Sequence, residues 1–504
     1  MDRKDNKHSM KYYSTRDTSL RYDAAEAIKM GLSRDGGLLT PVEIPQIDAA
    51  FLQEMMTMSY QERTARVMGL YLTDYTLEEL HGFAENAYGL DKYDTAAVAP
   101  VRTVDAKTHG LELWHGPTSA FKDMALQMLP QLLSAALKKT GEKKTACILV
   151  ATSGDTGKGA LEGFADVPQT KIMVFYPKDG VSAIQELQMV TQDGANVGVC
   201  SVVGNFDDAQ SGVKRIFSDP EIREILAKRG YFLSSANSIN WGRILPQVVY
   251  YISAYCDLVR DGKLAMGEKV NFCVPTGNFG DILAAYYAKR MGLPVNMLIC
   301  ASNSNNVLTD FLRTGVYDRN RPFHTTMSPS MDILISSNME RLIFDLSGGN
   351  DAEIRGYMKS LNEEGRYEVS DTIKAALTAE YWGGCCSEGD CTATMAAYWK
   401  EHGYLIDPHT AVAVNVMEQY RAATGDETVT VFVSTASPYK FGDSVLEAIG
   451  QQPVENSLER LDQMHAVTGV AVPRRLAALR GKERRFHQVC EKLGMEDTVL
   501  EFLK

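Results

Sequence analysis

Residues 145–164, TACILVATSGDTGKGALEGF, decide the fold. Thr145 to Ala151 is an unbroken apolar run, the pattern of a strand buried on both faces. Ser153-Gly154-Asp155-Thr156-Gly157 follows as a glycine-rich turn, and a helix opens from it. The same order recurs at 270–281, VNFCVPTGNFGD, where a short apolar run meets a second glycine turn and a second helix start. Further strands are expected at Lys171–Tyr176, Asn196–Val203, Val295–Cys300 and Thr428–Ser434, with helical spacing between them, as in SAIQELQMVTQDG (182–194). Strands alternating with helices predict an α/β fold whose mostly parallel sheet is covered on both faces. The right-handed crossover rule then makes it doubly wound, in two sheets.

Outward from this body the pattern changes. Residues 1–96 carry helix-like stretches, AAEAIKMGL (24–32) and TLEELHGFAENAYG (76–89), broken by the turn Asp35-Gly36-Gly37, and read as a mainly helical N-terminal unit. Between about 315 and 405 the strand signal fades and helix-like stretches dominate. The last segment, 451–504, reads as terminal helices. The expected division is therefore 1–96, 97–235 with the chemistry-bearing lysine discussed below, 236–450 with the second glycine turn, and 451–504 as a helical extension.

A chain of 504 residues buries a large core without staples. Lys plus Arg number 52 against 64 Asp plus Glu, a formal net charge of -12, which disfavours broad binding to nucleic acid or an anionic membrane. No apolar run approaches the ~20 residues of a spanning helix. The polar start, MDRKDNKHSMKYYSTRD, has no apolar stretch of a secretory signal behind it, and a cytoplasmic location is expected. Nine scattered cysteines agree with reduced thiols. The tightest group, Cys385, Cys386 and Cys391, lacks the spacing of zinc hooks, so no metal is expected.

In open α/β sheets, ligands sit at the carboxyl ends of strands, where short turns expose backbone N–H groups. The SGDTG turn offers such groups with hydroxyls beside them, a cradle for a carboxylate or phosphate; a plain strand-to-helix turn is the bland alternative. It is no Walker A loop, because Thr152 stands where glycine is required and Gly159 where Ser or Thr should follow the lysine. Nor does Gly157-Gly159-Gly163 have dinucleotide-binding spacing. The turn Pro275–Asp281 suits a phosphate dianion, with Phe279 packing beneath it. A third turn, Thr435-Ala436-Ser437-Pro438, follows the last strand. Lys122 completes the set: a lysine at a helix start is usually solvated, but Ala120, Phe121, Met124 and Ala125 point to enclosure, which lowers its pKa and makes it a Schiff-base nucleophile. A buried lysine and a phosphate cradle are the minimum set for pyridoxal phosphate.

Together these segments resemble fold-type II pyridoxal-phosphate enzymes, and most closely the threonine synthase family. HGPT-x-AFKD (115–123), SGDTG (153–157), SANSIN (235–240), PTGNFGD (275–281), DPH-x-AVA (407–413) and STASPYKF (434–441) stand in that family's order. The likeness covers about 97–450, and YYSTRD with GLSRDGGLLTP extends it into the N-terminal unit. The resemblance implies that Lys122 is the Schiff-base lysine and proton shuttle. It implies that Gly277, Asn278, Phe279 and Gly280 hold the cofactor phosphate through backbone N–H groups, with Asp281 beginning the helix. Thr435 would face the pyridine nitrogen, and Ser153, Gly154, Asp155 and Thr156 would line the substrate side.

The reaction implied converts O-phospho-L-homoserine and water into L-threonine and phosphate. A doubly anionic substrate needs cations; Arg243 and Lys440 are the candidates, with Lys158 a third. Asn237, Ser238 and Asn240 serve either as polar lining or as a helix cap. The alternatives are a phospho-lyase giving 2-oxobutyrate, ammonia and phosphate on the same scaffold, or a catalytically silent relative. The expected partner is a small-molecule substrate, with no nucleic acid and no membrane, in a monomer or homodimer.

Overall fold

The computed structural model describes residues 9–504; the first eight residues of the polar start lie outside the described residues. The strands are β1 (Tyr12–Ser14), β2 (Leu39–Pro41), β3 (Val101–Thr103), β4 (Thr108–Glu112), β5 (Thr145–Ala151), β6 (Thr170–Pro177), β7 (Val197–Val203) and β8 (Tyr231–Ser234). They continue as β9 (Val270–Pro275), β10 (Val295–Ser302), β11 (Val316–Asp318), β12 (Arg366–Glu368), β13 (Tyr381–Cys385), β14 (Thr430–Ser434) and β15 (Gln488–Glu491). Two sheets organise the body: a six-stranded one in the order β13-β10-β9-β14-β4-β3, and a five-stranded one in the order β15-β7-β6-β5-β8. Every pairing in both is parallel except β3 on β4.

Side chains alternate across each sheet, and both faces are buried. On β9, Phe272 and Val274 join one hydrophobic cluster while Cys273, between them, joins another. On β5, Ala146, Ile148 and Val150 face the main cluster, whereas Cys147 and Leu149 face a third. This period of two, with apolar residues on both sides, explains why these strands read as continuous apolar runs.

All six expected strands are present, within a residue or two at their ends. The sheets, however, do not divide at residue 235. β4 lies before Lys122 in sequence yet pairs with β14 in the six-stranded sheet, and β3 pairs with β4 at its edge, so the segment 97–235 contributes to both sheets. The region 315–405 is not purely helical, because β13 forms the edge of the six-stranded sheet against β10. Nor is the tail purely helical: β15 adds a parallel edge strand to β7 before the final helix Met495–Phe502.

The N-terminal unit holds the helices Ala24–Met30, Ala49–Met55, Tyr60–Tyr71 and Leu77–Tyr88, with β1 antiparallel to β2. Capping boxes at Ser59 and Thr76 start the two longer helices by satisfying N–H groups that have no partner inside the helix. The unit docks on the helix Trp241–Arg260. Trp241 is fully buried among the rings of Tyr12, Tyr71 and Tyr287, and Arg63 forms a buried salt bridge with Asp257 at 2.8 Å. The start of that helix, which carries Arg243, is thereby fixed from outside.

Candidate active site

The glycine turns after β5 and β9 and the turn after β14 face one another across the two sheets, with Lys122 among them. Lys122 follows β4, and its neighbour Phe121 donates its N–H to the Thr435 carbonyl at 2.7 Å, which pins the lysine segment to the β14 turn. Its Nζ donates to Ser330 Oγ at 3.3 Å and stands 4.8 Å from the centre of the Phe121 ring. The residue keeps some solvent exposure, yet protein atoms crowd the ammonium closely. Desolvation, with Lys440 and Arg243 adding repulsion against the attraction of Asp155 and Asp281, pulls it down to about 8.

Asp155 begins the helix Asp155–Phe164. Its carboxylate pairs with Lys440 Nζ at 2.5 Å and accepts from Gln185 Nε2 at 3.0 Å. Burial alone would raise this carboxyl, but the Lys440 and Lys122 ammoniums more than reverse that and hold it well below the usual carboxylate range. Lys440 also donates to the Thr118 carbonyl at 2.9 Å. Its charge is therefore matched, and among the two cation candidates it is not the free one.

Arg243 is. It is 4% exposed and donates to the Ala236 carbonyl; among the described residues it has no salt bridge, and its Nε finds no acceptor. Burial lowers the guanidinium to about 10, so it remains a cation at neutral pH. Lys158 is directed elsewhere, to Glu162 at 2.9 Å and to Gln192.

The expected cradle at SGDTG is partly consumed. The N–H groups of Gly154 and Gly157 both donate to Thr152 Oγ1 at 2.9 Å, leaving the half-buried Ser153 and Thr156 as the polar faces of the turn. Gly154 sits at φ 140°, a conformation suited to glycine, and the Gln185 side chain fills the space a Cβ would take. Asn237 is exposed, on the turn before Asn240, which caps the helix Trp241–Arg260 through Gly242 N–H at 2.9 Å. Asn240 is thus a cap and not lining. Ser238 instead accepts from Asn338 Nδ2 at 3.2 Å.

The second turn keeps its N–H groups unspent. Among the described residues, the N–H groups of Gly277, Asn278, Phe279, Gly280 and Asp281 have no protein acceptor, and they lie where the helix Gly280–Met291 begins. Phe279 is buried and packs on Tyr381, with ring centres 5.6 Å apart. A Cβ at Gly277 would lie 2.7 Å from the Ser330 carbonyl oxygen, so only glycine fits there. Asp281 Oδ1 accepts from Tyr250 and Tyr251 hydroxyls at 2.5 and 2.6 Å, while its buried Oδ2 has no donor among the described residues. Desolvation outweighs those two tyrosines and Lys122 and lifts the carboxyl to about 6. A row of unspent N–H groups, an enclosed lysine of lowered pKa and a buried hydroxyl at Thr435 together fit pyridoxal phosphate.

Several residues here carry no signal in periodicity or turn chemistry. Ser330 lies in MSPSMD (327–332), a proline-bearing stretch inside the region read as helical. Its N–H donates to His409 Nε2 at 3.2 Å, and His409 Nδ1 lies 2.7 Å from Asp407 Oδ2. Those partners stand in the DPH stretch, where the i, i+2 Asp–His spacing was the available clue. Gln185 had none.

Three family models match the chain in succession. The chain matches the family Threonine synthase N terminus over residues 11–88, Pyridoxal-phosphate dependent enzyme over 111–379, and Threonine synthase, C-terminal over 410–498. It is 38% identical to threonine synthase of Pseudomonas aeruginosa over 446 residues, covering 88% of this chain and 92% of that one. It is also 38% identical to human threonine synthase-like 1 over 436 residues, 84% of this chain, and spans only 58% of that protein's length. The crystal structure of threonine synthase from Brucella melitensis with bound pyridoxal phosphate superposes with a TM-score of 0.87 at 37% identity, covering 98% of this chain and all of that one. N-terminal unit, lysine-bearing body and tail are matched alike, and the chain belongs to the threonine synthase family of pyridoxal-phosphate-dependent enzymes.

Proposed function

We propose that the protein converts O-phospho-L-homoserine and water into L-threonine and phosphate, as a threonine synthase. The observation that carries the reading is the unpaired, buried Arg243 cation close to Lys122, in a site whose other buried ammonium is neutralised by Asp155. A substrate with both a carboxylate and a phosphate is the chemistry such a cation complements.

Pyridoxal phosphate, when bound, supplies the electron sink that makes protons on carbons next to the amine removable. Its phosphate would rest on the N–H groups of Gly277, Asn278, Phe279 and Gly280, with Asp281 opening the helix behind them. Thr435 would present a neutral hydroxyl to the ring nitrogen. Lys122, with its ammonium near 8, gives and takes a proton at Nζ near neutral pH, and Ser330 Oγ holds that nitrogen in place. Arg243 receives an oxyanion of the substrate. The hydroxyls of Ser153 and Thr156, with the Gly154 backbone, line the opposite side, and Asn237 stands at the rim. Asp155 holds Lys440 in reserve as a second, already compensated cation. A cytoplasmic setting as a monomer or homodimer is the accompanying proposal, supported by nine free thiols.

The test is a product balance on purified, cofactor-loaded protein given O-phospho-L-homoserine, quantifying phosphate, threonine and 2-oxobutyrate together. Threonine equal to phosphate is expected. Oxobutyrate equal to phosphate would replace the synthase with a phospho-lyase, and no phosphate would overturn the substrate.

A further inference from the structure

The turn Gly277–Gly280 is held from behind by residues 336–341, a segment without a recognised motif. Ser336 Oγ donates to the Gly277 carbonyl at 2.9 Å. The Asn278 carbonyl accepts twice from Asn338, from its N–H and from Nδ2, each at 3.2 Å. A trans peptide unit points its N–H away from its own carbonyl. Anchoring the Gly277 carbonyl on Ser336 therefore turns the Asn278 N–H to the opposite side, and anchoring the Asn278 carbonyl on Asn338 does the same for Phe279. The Phe279 carbonyl is taken by Leu283 N–H at 3.1 Å as the first helical turn, which leaves the Gly280 N–H directed out of the helix start.

This arrangement does not hold itself. Phe279 lies at φ 63°, ψ 3°, a left-handed conformation that costs a non-glycine residue of order 1 kcal/mol and persists when its surroundings over-determine it. Asn338 is fully buried, and its amide has one orientation. Arg341 Nη1 donates to Asn338 Oδ1 at 2.6 Å, so Nδ2 must face Asn278 and Ser238. Arg341, also buried, is itself tied to the Leu39 carbonyl at 2.8 Å and the Ile239 carbonyl at 2.6 Å. The N-terminal unit, the SANSIN loop and the phosphate turn thus meet on one guanidinium.

We propose that Ser336 and Asn338, the latter locked by Arg341, are positioning residues that aim the N–H groups of Asn278 and Phe279 at the cofactor's phosphate. They set affinity for the phosphate group and not for the ring. The inference rests on the reading of 277–280 as the phosphate cradle.

The experiment titrates apoprotein with pyridoxal phosphate and, separately, with pyridoxal, following cofactor absorbance, for wild type, Ser336→Ala, Ser336→Thr and Asn338→Ala. Thermal unfolding of each apoprotein is recorded alongside. Pyridoxal phosphate affinity should fall about 10-fold in Ser336→Ala and 10- to 100-fold in Asn338→Ala, with pyridoxal affinity unchanged within about twofold. Ser336→Thr, which keeps the hydroxyl, should restore wild-type affinity. Equal losses for both ligands, or no loss for either, would overturn the proposal. Wild type that binds the two ligands equally would instead overturn the cradle reading itself.

Discussion

Asp155 and Lys440 meet at 2.5 Å with almost no solvent contact, one from the turn after β5 and the other from just beyond the turn after β14, so an ion pair links the five-stranded sheet to the six-stranded one. Lys440→Met leaves a buried carboxylate with Gln185 as its remaining hydrogen-bond partner, and unfolding stability should fall by about 3–5 kcal/mol. Adding Asp155→Asn should recover part of that loss, a coupling measurable by a double-mutant cycle in urea. The pH dependence has a definite sign. Asp155 is depressed in the folded state, so its contribution is complete above its ordinary value of 3.8 and fades as pH falls below it. Wild type and Asp155→Asn should differ in stability above pH 4 and converge in stronger acid. Parallel curves would remove the pair from the stability argument.

Lys122 shifts in the opposite chemical sense to an ordinary surface lysine. With its ammonium at about 8 and not 10.5, the rate of cofactor attachment should rise tenfold per pH unit up to about pH 8 and then level. Between about 8 and 10.5 the unfolded chain binds the extra proton, so the apoprotein should gain stability with rising pH in that window. Lys122→Met should lack that gain, lose covalent attachment and lose turnover. Retained turnover would sink the central assignment. A rate still climbing tenfold per unit at pH 10 would show that the site does not desolvate the lysine.

Arg243 should reveal a conflict between stability and function. A buried guanidinium that has no carboxylate partner among the described residues weakens the apoprotein, so Arg243→Met should raise its stability by about 1–2 kcal/mol. The same change should lower kcat/KM on O-phospho-L-homoserine by about 100-fold or more, chiefly through KM, and leave cofactor loading intact. An unchanged KM would clear Arg243 of substrate binding.

What the chain discloses before folding depends on how local the signal is. β5 and β9 announce themselves because both faces are buried and every position must be apolar. β4 does not: THGLE is fully buried yet polar at both ends, where Glu112 accepts from the Tyr404 hydroxyl at 2.8 Å and lies 2.7 Å from His115. Tyr404 lies 292 residues away, so no window of sequence contains the partner that lets this end be buried. β13 fails for a related cause, since Gly383 and Gly384 lower its strand propensity while close packing on Thr309 and Val416 requires them. At the site, the Gly277–Gly280 turn and the enclosed Lys122 are readable because a helix start and a glycine pair are local devices. Asp155 and Lys440 both drew notice as polar residues beside turns, but that they neutralise each other is a fact of sheet-to-sheet packing. Ser336 and Asn338 act on the turn from 59 and 60 residues away, and Ser330 meets Lys122 from 208 residues away, beyond the reach of any spacing rule.

The tail tests how much of the five-stranded sheet is borrowed from distant sequence. β15 covers the edge of β7, and Met495 and Val499 of the final helix, with Leu503 just after it, belong to the same buried cluster as Cys147, Leu149 and Met173. The Arg485 N–H also donates to the Val190 carbonyl at 2.8 Å just before the strand begins. Removing residues 487–504 uncovers three buried apolar side chains, worth ~1.5–3 kcal/mol each, and bares a strand edge. The truncated protein should unfold at least 10 °C lower and aggregate on warming. Hydrogen exchange should accelerate in β6 and β7 while β9 and β10 keep their protection, because the six-stranded sheet makes no pairing with the tail. Val499→Asp should reproduce the effect in milder form without opening the edge. Wild-type melting of both variants would mean that β5 to β8 hold together on their own and that the tail only decorates them. Protection lost equally in β9 and β10 would instead make the two sheets one cooperative unit, with the Asp155–Lys440 pair as the link that transmits the loss.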